Sequence, residues 1–345
     1  MVVSKRLRRS VMFLASLAIA VGIISSRAAA QYTVTNLVSN QQGKANHQDT
    51  DLINPWGVSY APGGYFWVSD EGTGKSTLYN AQGVKQSLVV TIPPAPGGFT
   101  VGSPTGQVYN ATGQFVVTEN GRSGSASFIF ATLDGTISGW SGSVDGTNAV
   151  IAVKSPGSVY TGLALATNNG SPFLYAADSA NNKIDMFDGS FHLVNSFTDP
   201  NLPSGWNPYN VHSLQGKLVV TFVQEGTEDG VVDVFDNSGK FLKTLITNSR
   251  LHSPWGIALA PSNFGPASGA LLIGNEDDGK VNAFNPRTGK FLGASRVAFP
   301  GLWEIIFGGG SANNGKTNEL FLASGPDEYS NGLFSAIDVT ALDMQ

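Results

Sequence analysis

Glu119, Asp178, Asn275 and Glu304 are side chains whose type and spacing could do chemistry. All four offer oxygen donors, and such sets suit Ca²⁺ or Mg²⁺ rather than zinc. A cation held between them would polarise a carbonyl or activate water, as a hydrolase or lactonase requires. The first three follow comparable β-rich stretches, and Glu304 stands where two related segments have Gly57 and Gly256. A plainer reading stands beside this one, in which loop acids are solvated or cap turns through Asx-type hydrogen bonds.

The elements that must position these groups form a repeat. Asn54-Pro55-Trp56-Gly57 returns as Ser253-Pro254-Trp255-Gly256, with weaker copies around Thr105, Thr161, Tyr209 and Trp303. Positions 56, 105, 161, 209, 255 and 303 are 49, 56, 48, 46 and 48 residues apart. A nearly constant step of this size is the signature of stacked or radial units. A short strand follows each start, including Phe66-Trp67-Val68, Phe115-Val116-Val117 and Phe173-Leu174-Tyr175. A loop, a third strand such as Val231–Asp236, a glycine turn and a fourth strand complete each unit. Four strands per unit and six units predict an all-β, six-bladed β-propeller with four-stranded blades. The last unit lacks a fourth strand, so the alternating segment Tyr32–Val38 is expected to supply it and close the ring.

Successive hairpin loops of a blade alternate between two rims. The Pro-Trp-Gly starts therefore share a rim with the loops near 70–75, 119–126, 178–182, 224–229, 275–279 and 324–331. These loops hold 12 of the 25 acidic residues, so the expected binding rim comprises Asp70, Glu71, Glu119, Asn120, Asp178, Asn275, Glu276 and Asp277 with Trp56, Trp255 and Trp303. Concentrated negative charge attracts a cation or a cationic partner. The repeated aromatics, Trp56, Trp255 and Trp303 with Tyr209, are expected to pack blade to blade in the core, a sugar-stacking platform being the other use of such rings. Glu119, Asp178, Asn275 and Glu304 are the set expected to reach the channel and to take a metal. No nucleophile elbow, Walker loop, dinucleotide fingerprint or EF-hand pattern occurs.

Composition sets the outer limits. The chain has 345 residues, no cysteine and 13% charged residues. That excludes disulfide scaffolds and thiolate metal sites. Residues 1–30 read as a signal peptide: Lys5, Arg6, Arg8 and Arg9 precede an apolar run from Val11 to Ile24, and Ala28-Ala29-Ala30 offers a cleavage site before Gln31. Cleavage leaves 15 basic and 25 acidic residues, a charge of −10. So acidic a chain suits neither nucleic acid nor an anionic membrane surface. Residues 31–345 are expected to form one exported, periplasmic or extracellular domain, monomeric and without a transmembrane segment.

Asp178-Ser179-Ala180-Asn181-Asn182-Lys183-Ile184-Asp185-Met186-Phe187-Asp188 resembles the core of an NHL-type propeller repeat. The chain also resembles an uncharacterised family of exported bacterial propellers, through Asn-Pro-Trp-Gly at 54–57, Thr91-Ile92-Pro93-Pro94, the run 130–140, the run 197–203 and the run 253–261. Some members of that family carry a C-terminal Pro-Glu-Pro sorting tail, and this sequence ends at Asp343-Met344-Gln345 without one. The resemblance implies the fold and export, and no activity. Two functions remain open at this point. One is a binding or interaction module acting through the acidic rim on a protein, carbohydrate or small molecule. The other is a divalent-cation-dependent hydrolase or lactonase at the channel mouth.

Overall fold

A computed structural model describes residues 31–340; the expected signal peptide lies outside the described residues. Six sheets carry the chain around a central axis. Blade I consists of Pro55–Tyr60, Phe66–Asp70, Lys75–Tyr79 and Lys85–Thr91. Blade III consists of Tyr160–Asn168, Ser171–Asp178, Lys183–Phe187 and Leu193–Phe197. Blade IV consists of Trp206–Leu214, Lys217–Gln224, Asp229–Phe235 and Phe241–His252. Blade V consists of Pro254–Leu259, Leu271–Asn275, Val281–Phe284 and Phe291–Ala294. Each of these sheets is ordered as the chain runs, and the first strands touch one another in a ring around the axis.

Blade VI is completed from both ends of the chain. Leu302–Phe307, Leu320–Ser324 and Leu333–Thr340 are followed in the sheet by Gln31–Ser39, which pairs antiparallel with Leu333–Thr340. The expected N-terminal closure is therefore present, with a bulge between Asn36 and Val38.

Blade II departs from the expected strand assignment. Its strands are Pro104–Tyr109, Phe128–Thr132, Thr136–Trp140 and Val150–Lys154. The segment expected as its second strand instead forms a separate hairpin, Val116–Glu119 with Arg122–Ser125. That hairpin is inserted between the first and second strands. Its local alternation is genuine strand pattern, but the pattern alone does not say which strand it pairs with. The turn joining strands two and three of this blade is Leu133-Asp134-Gly135.

Packing explains why the ring holds. Six buried apolar clusters occupy the six junctions between neighbouring blades, and a seventh lies on the axis. The glycine of Pro-Trp-Gly is required by these junctions. A Cβ on Gly57 would lie 2.6 Å from the Thr105 carbonyl oxygen of the next blade, and one on Gly256 would lie 2.7 Å from that of Trp303. Only a residue without a side chain lets adjacent inner strands approach so closely.

Candidate functional site

The seventh cluster closes one mouth of the channel. Trp56 of blade I and Trp303 of blade VI stack with ring centroids 3.5 Å apart. Trp255 of blade V stands edge-on to both, at 5.9 and 6.0 Å. Blades I and V are not neighbours, so these rings meet across the axis rather than between adjacent sheets. The expected blade-to-blade packing holds for Trp56 and Trp303 of adjacent blades, but Trp255 meets Trp56 across the axis, so the rings form the floor of the mouth. Tyr209 of blade IV joins them, its ring 6.0 Å from Trp303. The Trp303 indole donates to Asn54 Oδ1 at 2.9 Å. The indole N–H groups of Trp56 and Trp255 are buried and meet no acceptor among the described residues. Buried donors are normally paired, so this aromatic layer has unused polar capacity.

Above the floor lies a layer of carboxylates and hydroxyls. Tyr329 Oη donates to Glu276 Oε1, and the Tyr329 ring sits 5.7 Å from Trp303. Ser253 Oγ donates to Glu228 Oε2, and the Ser253 amide donates to the Glu228 carbonyl at 2.8 Å. Burial pushes the Glu276 carboxyl up to about 7, with the charges of Glu228 and Asp277 adding to the effect. Burial likewise raises the Tyr209 phenol far above its ordinary range, and Glu276 and Glu228 both contribute. The tyrosine therefore lies within the field of two carboxylates from neighbouring loops. Among the described residues no lysine, arginine or histidine forms a salt bridge with either glutamate.

The backbone here is held in sparsely populated conformations. Asp327, Glu328 and Tyr329 have φ of 56°, 54° and 66°, Glu228 has 60°, and Ser253 has 46°. Non-glycine residues in this region cost roughly 1–3 kcal/mol each and persist where surrounding contacts over-determine them. A cavity of about 390 Å³ opens beside Tyr209, between the rim loops of blades III and IV, with Asn207, Glu225, Glu228 and Ser253 in its wall. A larger cleft of about 650 Å³ lies elsewhere, where the N-terminal strand meets residues 297–300; Lys44 is the one charged residue lining it.

The expected site residues have different fates. Glu276 belongs to the carboxylate layer, with Asp277 exposed beside it. Asp70 is fully buried, its carboxyl oxygens without a hydrogen-bond partner among the described residues, and burial first and then Asp49 and Asp51 raise its pKa. It faces the interior of blade I rather than the rim surface. Glu71 accepts from Asn54 Nδ2 at 2.9 Å. Asp178 accepts from the Val159 amide at 3.1 Å and from Asn181 Nδ2 at 2.8 Å, which pins its own turn. Asn275 donates to the Arg250 carbonyl at 2.7 Å.

Glu119 and Asn120 require a correction. Their hairpin connects first and second strands, which places it at the other rim, away from Asp178 and Asn275. Asp134 takes the rim place assigned to them. Glu304 Oε2 lies 3.4 Å from His212 Nε2 of blade IV, and Glu304 Oε1 accepts from the Ile305 amide. Blades IV and VI are also not neighbours, so this pair spans the channel, one step along the inner strands from the aromatic floor. The four residues expected to share a metal are not brought together as a set. Among the described residues no group of three or more His, Asp or Glu is placed to hold a metal ion.

Glu228, Ser253 and Tyr329 were missing from the expected site. A signal for one existed: Ser253 precedes Pro-Trp-Gly as Asn54 does, and both adopt left-handed φ. That residue donates its amide to the preceding blade's loop, at Glu228 or Asn331, and accepts from its own blade's loop, at Glu276 or Glu71.

Comparison with known proteins agrees with the fold. No family model matches the chain. Two uncharacterised proteins of Acanthamoeba polyphaga mimivirus, R648 and L690, are 29% and 28% identical over 334 residues, covering 90% of this chain and 81% and 87% of theirs. Virginiamycin B lyase from Staphylococcus aureus superposes with a TM-score of 0.54 and 13% identity, covering 90% of this chain and 100% of its own. The WD40 propeller domain of Doa1 gives a TM-score of 0.51 at 11% identity, covering 81% of this chain and 78% of its own. The chain is a six-bladed β-propeller. Among the described residues no helix is long and apolar enough to cross a membrane.

Proposed function

We propose that this propeller is an exported binding module that seats its ligand at the aromatic mouth of the channel on the acidic rim. The observation that carries this reading is the closure of the channel by Trp56, Trp255 and Trp303. A closed mouth is a concave floor rather than a pore, and aromatic floors edged by a few polar groups are what ligand sites are built from. Export rests on the basic and apolar character of residues 1–30 and on the resemblance of the repeats to exported bacterial propellers.

The test uses tryptophan emission as the reporter, the floor holding three of the chain's 6 tryptophans. A panel of saccharides, peptides and small metabolites is titrated while intrinsic fluorescence is followed. Ligands of the mouth change the emission of the wild type and lose their effect in Tyr329→Ala, which keeps the buried floor. Binding that survives in Tyr329→Ala and in Glu276→Gln alike would move the site elsewhere and sink the proposal.

The Glu304–His212 pair favours a second reading, a hydrolase or lactonase that works with a divalent cation in the channel. The Glu304 carboxylate could supply an oxygen ligand to such an ion, and the His212 imidazole beside it could act as the base toward bound water. Turnover of an ester or lactone panel that needs added Ca²⁺ or Mg²⁺, and that Glu304→Gln abolishes, would favour it over the first.

A further inference from the structure

We infer that the cavity beside Tyr209 accepts an organic cation, an alkylammonium or guanidinium group, between the Tyr209 ring and the carboxylates of Glu225 and Glu228 that line it, with the Glu276 carboxylate behind the same ring. This rests on the binding-module reading above and names the class of ligand that the mouth would take.

Three observations converge. The first is the charge of the wall: Glu225 and Glu228 line the cavity, and its lining includes no lysine, arginine or histidine. The second is the aromatic surface, since Tyr209 lines the same cavity and packs edge-on to Trp303. Aromatic faces attract cations through their quadrupole, and the attraction grows as water is excluded. The third is the state of Glu276. It is 7% exposed, accepts from Tyr329, and suffers the charges of Glu228 and Asp277 without a counter-ion among the described residues. A buried carboxylate repelled by its neighbours is relieved by a proton or by an incoming cation.

The geometry discriminates between kinds of cation. Ca²⁺ needs six to eight oxygens and Mg²⁺ near-ideal octahedral geometry. Among the described residues no group of three or more His, Asp or Glu is gathered here to start such a shell. Glu228 and Glu276 belong to the rim loops of adjacent blades, with the phenol of Tyr209 feeling both. A large, weakly hydrated organic cation suits that spread better than a hydrated metal ion. The cavity, about 390 Å³, falls within the range of small-molecule sites. The cation could come free or on a basic side chain of a peptide, and both present the same chemistry.

The experiment is calorimetric titration of the full chain with tetramethylammonium, arginine amide and a short acetylated Gly-Arg-Gly amide, against neopentyl alcohol as the uncharged shape. Saturable binding of at least one cation is expected, with none for the alcohol. Affinity should fall about tenfold in Glu228→Gln and in Glu276→Gln, and rise severalfold from pH 6 to pH 8 as the Glu276 proton leaves. Melting curves of both variants confirm that the fold is kept. Preference for the peptide over arginine amide identifies a protein ligand, and the reverse a free small molecule. Equal binding of the alcohol, no binding of any cation, or cation binding untouched in both variants overturns the inference. A neutral saccharide that binds and is lost in Tyr329→Ala would leave the binding-module reading standing while removing the cation. If no probe of any class responds to the mouth variants, both readings fall.

Discussion

Asp185 of blade III and Asp233 of blade IV occupy one register position in adjacent blades, yet their surroundings differ. Each lies on the third strand, opposite Ala176 and Val220 respectively, and each is buried. Asp185 accepts from Tyr160 Oη at 2.9 Å and Ser196 Oγ at 2.6 Å, and Lys183 Nζ lies 2.9 Å from it. In blade IV the residues corresponding to Tyr160 and Lys183 are Pro208 and Val231. Asp233 is left facing Asp199, and burial, with Asp199 adding, pushes its carboxyl up to about 8. A cation satisfies one aspartate and a proton the other. Loss of the phenol and the ammonium at those two positions, together with the approach of Asp199, therefore sets Asp233 apart from Asp185 on the same scaffold.

Breaking the satisfied blade should have the largest effect. Lys183→Val removes the cation from Asp185; losing one partner of a buried pair costs roughly 3–5 kcal/mol, and the partial exposure of Lys183 reduces this to about 2 kcal/mol. The midpoint of thermal unfolding should drop by several degrees at pH 7.

Asp233→Asn tests the other blade. The native carboxyl keeps its proton to about pH 8, against an ordinary aspartate value of 3.8. Between these limits the folded state binds more protons than the unfolded state, so its contribution is complete below about pH 4 and is lost as pH rises through 8. The amide should flatten that decline and melt higher than the wild type at pH 8.5, with little difference at pH 4. A variant as steep as the wild type would show that the Asp233 proton is not responsible.

A smaller effect of the same sign belongs to the mouth. Glu276 holds its proton to about 7 against an ordinary glutamate value of 4.5. Glu276→Gln should shallow the fall in stability between about pH 4.5 and 7. The smallest effect tests whether a metal can replace the proton in blade IV. EDTA and added Ca²⁺ should move the wild-type melting point by less than about 1 °C, because an ion bound by the native state alone would raise it by mass action. A Ca²⁺-dependent rise that disappears in Asp233→Asn would show that the acid pair takes a metal.

The fold was legible because its signal is periodic. Six aromatic or small-residue starts at nearly equal spacing, and the missing fourth strand of the last unit, both report on the backbone. The hairpin at Val116–Ser125 was misplaced because an inserted pair of strands has the same two-residue alternation as a blade strand. The site was legible only in part. Trp56, Trp255, Trp303 and Glu276 stand in or next to repeated segments, whereas Glu228 and Tyr329 are set by loop conformations with positive φ that the sequence pattern does not announce. The difference between Asp185 and Asp233 escaped for another reason: it depends on what stands at Pro208 and Val231 and on the approach of Asp199, and only the folded blade shows that these positions bear on one carboxyl.

The junction of Gln31–Ser39 with Leu333–Thr340 also gives the ring a seam and a clock. Every other sheet is made from contiguous chain and can form as its residues emerge, whereas blade VI waits for partners some 300 residues apart. Contacts of such sequence separation form late and slow the overall rate. The molecule thus stays an open arc until its last strand arrives. The seam should also open first under load. A circular permutant that joins the two ends and is cut between blades II and III would move that weak point, and the order in which amides exchange with solvent would shift with it.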